Sequence, residues 1–166
     1  MAKVNINKLI VPELFLMSEI PYARCKKKFL TGSRAFFSCM ADFRPKDTDL
    51  LVLDDAPKGY KFYRQTQTNG ICLFEWRDMG ADALIDYALQ HPNPPMQVGK
   101  FLVPDFAKHI GLTLEQLTRL RTLIDALDAK HRYEDIIYNS YLVNGDFTLT
   151  DDQREAAYQC YKEART

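Results

Sequence analysis

Lys28-Phe29-Leu30-Thr31-Gly32-Ser33-Arg34-Ala35-Phe36-Phe37, followed after a short gap by Pro45-Lys46-Asp47-Thr48-Asp49-Leu50-Leu51-Val52-Leu53, is the stretch on which the fold turns. Phe29 and Leu30 end a short apolar run, and Gly32-Ser33 reads as a tight turn from a strand into a helix beginning near Arg34. Such a turn offers main-chain N–H groups, its glycine lets a ligand approach the backbone, and its serine hydroxyl can donate to a phosphate oxygen. The helix must be short, because Phe43-Arg44-Pro45 leads into the next run, and Phe36 and Phe37 are expected to pack inward.

Asp47 and Asp49 stand two apart at the start of a run, Leu50 to Leu53, whose composition predicts a buried strand. With period-two alternation both carboxylates project from one face. Two carboxylates held that close repel unless a cation lies between them, and Mg²⁺, which prefers carboxylate and phosphate oxygens, suits the place. A phosphate-sized site therefore sits beside a metal-sized one.

In this order and spacing, Gly32-Ser33 on a strand-to-helix turn and Asp47-x-Asp49 opening the next hydrophobic strand resemble the signature of the polymerase-beta-type nucleotidyltransferase superfamily. Gly32-Ser33-Arg34-Ala35 is close to the form common among its small members, and the likeness covers about residues 10–90. The resemblance implies transfer of a nucleoside monophosphate from a nucleoside triphosphate to an acceptor, with Mg²⁺ or Mn²⁺. It makes Gly32, Ser33 and Arg34 the nucleotide-binding residues. It also implies a third carboxylate on a strand neighbouring the Asp pair, and Ile71-Cys72-Leu73-Phe74-Glu75-Trp76 supplies Glu75, with Asp78 just beyond as the fallback. Asp47, Asp49 and Glu75 would then be both metal ligands and catalytic residues. An acid inside an apolar strand is costly to bury without a partner, and a cation would be one; the alternative is that Glu75 faces solvent or pairs with Arg64 or Arg77.

The chain has 166 residues, 46% of them hydrophobic, enough for a core and little beyond a catalytic fold with a helical appendix. Lys plus Arg and Asp plus Glu balance at 22 each, so no global field holds nucleic acid. A local patch is left to Arg24, Lys26, Lys27, Lys28 and Arg34, although a charge run of this kind is more often simply a solvated face. Cys25, Cys39, Cys72 and Cys160 show no paired spacing, and no signal peptide or long apolar span is evident, which predicts a reduced cytoplasmic protein without a zinc site.

Along the chain, Pro12 suits the start of a helix through Ile20, and Pro21 ends it. Asp54 to Gly59 reads as a turn, and Tyr60–Thr66 and Ile71–Trp76 as a hairpin around Asn69-Gly70. Ala81 to Gln90 has helical spacing, stopped by His91-Pro92. Lys100, at the start of the apolar run Phe101-Leu102-Val103, has the reach to contact a phosphate, but reads more simply as a surface lysine opening a strand. From Pro104 onward the pattern is helical: a stop at Gly111, a capping box Thr113-x-x-Gln116 opening a helix through Leu127, a stripe of Tyr133, Ile136, Ile137 and Tyr141 ended near Asn144-Gly145, and a last helix opened by Thr150-x-x-Gln153. His91, His109 and His131 lack metal-ligand spacing.

The sequence thus predicts an α/β (α+β) fold, with a small mixed sheet in residues 1–95 and a helical region in 96–166 packed on it. The expected partners are a nucleoside triphosphate and an acceptor left open among protein, nucleic acid and small molecule. A partner protein or a second copy could engage the helical tail, and no membrane is expected. The alternative function is a non-catalytic nucleotidyltransferase-fold protein that binds nucleotide or another protein, for example in a toxin–antitoxin or phage-related system.

Overall fold

The computed structural model describes residues 25–54, 63–68, 70–91, 97–120 and 128–166. The expected helix Pro12–Ile20, the turn 55–59, the first residues of the expected strand at Tyr60 and the end of the expected helix at Leu127 lie outside the described residues. The fold is α+β, with a four-stranded mixed sheet and helices. The chain divides into two compact units, Met1–Met79 and Gly80–Thr166, so the helix 81–90, counted above with the α/β core, falls in the second unit.

The first unit carries the sheet: β1 (Cys25–Thr31), β2 (Thr48–Asp54), β3 (Tyr63–Thr68) and β4 (Ile71–Arg77), with the five-residue helix α1 (Ser33–Phe37) between β1 and β2. Their order is β1-β2-β4-β3. β1 runs antiparallel to β2, β2 parallel to β4, and β4 antiparallel to β3. The two central strands have the least polar sequences, and Leu50, Leu51, Val52 and Leu53 are all buried. Burial on both faces is what an unbroken apolar run requires of a central strand. Thr68 pairs with Ile71 across Asn69-Gly70, and Gly70 has the positive φ of 76° that a tight hairpin turn favours. Phe36 and Phe37 are buried as expected, and Phe37 meets Phe43 edge-on at 6.1 Å.

The second unit is helical: α2 (Ala81–Gln90), α3 (Val98–Leu102), α4 (Pro104–Ile110), α5 (Leu114–Arg119), a 3₁₀ turn (Ala129–His131), α6 (Tyr133–Asn144) and α7 (Asp151–Glu163). Pro104 occupies the first turn of α4, and Gly111 and Gly145 take the left-handed conformation that ends α4 and α6. Both capping boxes form: the Thr113 and Thr150 hydroxyls accept from the N–H groups of Gln116 and Gln153, whose side chains accept in return. The run read as a strand opening at Lys100 is instead helix α3, and Lys100 is buried, 7% exposed, rather than on the surface. A five-residue apolar run carries too little periodicity to separate the two states. Gly99 explains the close packing here, since a Cβ on it would stand 2.8 Å from Glu134 Oε1 on α6. Glu134 is also 3.4 Å from His131 Nδ1. The Tyr141 hydroxyl donates to the Leu102 carbonyl at 2.6 Å, satisfying an acceptor that the end of α3 leaves open.

Candidate functional site

Gly32 closes β1 with φ 70° and ψ −159°, a conformation essentially reserved for glycine. The chain there lies directly on Asp49: a Cβ added to Gly32 would overlap Asp49 Oδ2 and stand 3.1 Å from its Cγ. The contact follows from register, because Thr31 pairs with Asp49 and the next residue passes over that carboxylate. Ser33 begins α1, and Ala35 N–H donates to the Gly32 carbonyl at 3.1 Å. Ser33 and Arg34 are both half-buried, and Arg34 Nε is shielded from water without a hydrogen-bond partner among the described residues.

Side chains in register across a sheet share a face. Thr31, Asp49, Cys72 and Gln67, one from each strand, therefore form a row on one face, near the start of β2 and β4. Asp47, exposed just ahead of β2, accepts from Gln67 Nε2 at 3.5 Å and so belongs to the same side. The two aspartates share a face, as their spacing predicts; Asp49 is half-buried against Gly32, and Asp47 leans toward β3.

Glu75 does not join them. It is in register with Val52, three residues beyond Asp49, so alternation turns it to the opposite face, about 10 Å further along the strand. It is buried to 1% exposure, and its register partner across the hairpin is Arg64. Asp78 follows the far end of β4, about 20 Å from the level of Asp49. The three-carboxylate site is thus corrected to a pair, and the place beside Asp49 on β4 is held by Cys72. Among the described residues no three His, Cys, Asp or Glu side chains are grouped to hold a metal ion. Two carboxylates fit a single Mg²⁺, which keeps several waters and takes one or two carboxylates together with substrate phosphates.

No protein-family model, curated protein or solved structure matches this chain. What can be said of the site therefore rests on its own geometry.

Other candidate groups have structural settings. Cys39, Cys72 and Cys160 are free thiols, and burial first, then Glu163, raises the pKa of Cys160, which keeps it protonated. His91 follows α2, and burial lowers its imidazole pKa. Lys27 is exposed and Lys28 half-buried on β1, so the basic run continues along a strand as well as beside the turn. Among the described residues no helix is long and apolar enough to cross a membrane. Thr31 and Cys72 escaped the sequence reading because only the pairing of β2 with β4 and β1 puts them beside Asp49.

Proposed function

We propose that the α/β unit transfers a nucleoside monophosphate from a nucleoside triphosphate to an acceptor hydroxyl, with Asp47 and Asp49 holding one divalent cation and Gly32-Ser33 receiving the phosphates. The observation that carries this reading is the seating of the Gly32 backbone on the Asp49 carboxylate. A conformation that glycine alone adopts without strain here brings a bare stretch of main chain against an acid on a strand end. Ser33 would donate its hydroxyl to a phosphate oxygen, and Arg34 would balance phosphate charge. When bound, Mg²⁺ supplies charge neutralisation at the phosphates. The acceptor oxygen bonds to the α-phosphorus as the bond to pyrophosphate breaks. With Glu75 on the other face, Asp47 and Asp49 are the carboxylates left to take the acceptor's proton.

The position of Glu75 favours a second reading, in which the same site binds nucleotide without transferring it and the helical unit serves as a protein-binding surface. Two measurements separate the readings. Calorimetry with ATP, GTP, CTP and UTP in the presence of Mg²⁺ tests binding, and incubation with α-³²P-labelled nucleotides, Mn²⁺ and a lysate of the source organism tests transfer. Label that appears with the wild-type chain and vanishes with Asp49→Asn supports transfer; binding without label supports the second reading. An absence of binding by all four nucleotides overturns both.

A further inference from the structure

Thr31 is 1% exposed, and its hydroxyl has no hydrogen-bond partner among the described residues. A buried hydroxyl left in that state costs stability, and a native structure tolerates few of them. Its place in the sheet is specific. Thr31 is the register partner of Asp49, on the same face, and the residue after it is the glycine whose backbone rests on Asp49 Oδ2. The Cβ atoms of such a pair are about 5 Å apart, close enough for a threonine hydroxyl to reach a carboxylate oxygen across the pair. Gly32 blocks the carboxylate from one side, and Thr31 borders it from another.

We infer that Thr31 is a positioning residue for Asp49: its hydroxyl donates to one carboxylate oxygen when the other engages a divalent cation. The inference rests on the reading of Asp47 and Asp49 as a cation site. It explains why a hydroxyl is kept where a methyl group would fill the space without an unsatisfied polar atom. It also gives the site a substitute for a third carboxylate. Cys72 rather than an acid stands beside Asp49 on β4, and β1 offers the Thr31 hydroxyl on its other side. Hydrogen bonds of this kind to ligating carboxylates orient them and raise metal affinity.

The test uses the full chain and Mn²⁺ as the probe, followed by electron paramagnetic resonance of the free ion, with thermal melting of the metal-free protein alongside. Thr31→Val should weaken Mn²⁺ binding about tenfold or more. The same variant should leave the metal-free melting temperature unchanged or raised, because an unsatisfied hydroxyl has been replaced by a methyl group. Thr31→Ser should restore Mn²⁺ affinity. Should Thr31→Val not fold, Thr31→Ala carries the same comparison with Thr31→Ser. A hydroxyl-free variant that binds Mn²⁺ like the wild type overturns the inference and leaves the aspartate pair standing. A metal-free melting temperature lowered by Thr31→Val and restored by Thr31→Ser also overturns it, since the hydroxyl is then structural. Equal Mn²⁺ binding by the wild type and Asp49→Asn removes the cation site and this inference together.

Discussion

Gly32→Ala is the substitution that bears most directly on the site. At φ 70° and ψ −159° any L-residue is strained by about 1–3 kcal/mol. The new methyl would also overlap Asp49 Oδ2 and stand 3.1 Å from Cγ and 3.3 Å from Cβ, so the Asp49 side chain has to turn away. The expected loss of stability is about 2–4 kcal/mol, the backbone strain plus the displaced, half-buried carboxylate. Mn²⁺ affinity should fall with it. Gly111→Ala is the control: Gly111 has φ 73° and ψ 34° with nothing within 4 Å of an added Cβ, so it should cost only about 1–2 kcal/mol and leave Mn²⁺ binding unchanged. Urea unfolding measures both losses, and a double-mutant cycle with Asp49→Ala isolates the part due to the carboxylate. In the Asp49→Ala background, Gly32→Ala should cost only its backbone share. Equal cost in both backgrounds, or a Gly32→Ala protein that still binds Mn²⁺ as the wild type does, would refute the argument that glycine is there for Asp49.

Asp49→Asn should abolish both Mn²⁺ binding and label transfer without unfolding the chain, checked by the melting temperature. Glu75→Gln should leave Mn²⁺ affinity within twofold of wild type while lowering stability by about 1–3 kcal/mol, the scale for disturbing a buried charged group; a tenfold loss of affinity would return Glu75 to the site. Tyr141→Phe should cost about 1 kcal/mol by leaving the Leu102 carbonyl without its donor. Burial raises the Tyr141 pKa, partly opposed by Arg154, so the folded chain holds this proton where the unfolded chain releases it. Its contribution is present below the unfolded value near 10 and is lost as pH rises beyond it. Unfolding followed from pH 8 to 11.5 should show that decline in the wild type, and Tyr141→Phe should flatten it.

Much of the fold is written in local chemistry that a single sequence exposes. Thr113 with Gln116, Thr150 with Gln153, Pro104, Gly111, Gly145 and the hairpin glycine Gly70 each act within a few residues, and each does what its chemistry demands. The Gly32 turn and the shared face of Asp47 and Asp49 are local in the same sense. Glu75 is different. Its face depends on the parallel register between β2 and β4, which no turn fixes, and a slip of one residue would have turned it toward Asp49. Lys100 differs from its reading as a surface lysine for a related cause, since its segment packs against Glu134, far along the chain.

The strand order has a consequence for solubility. Among the described strands β1 and β3 are the two edges of the sheet, where unpaired main-chain groups invite a strand from another molecule. Along β1 run Lys26, Lys27 and Lys28, and the register shifts between Cys25 and Lys27, so Lys26 sits in an irregularity that spoils a flat pairing edge. β3 carries Arg64, Gln65 and Gln67. A docking strand would have to bring its own backbone against the exposed Lys27 on one side and the exposed Gln65 and Gln67 on the other. The lysine run of β1 and the polar residues of β3 therefore set the sheet's strongly apolar centre behind a rim that disfavours pairing with another molecule.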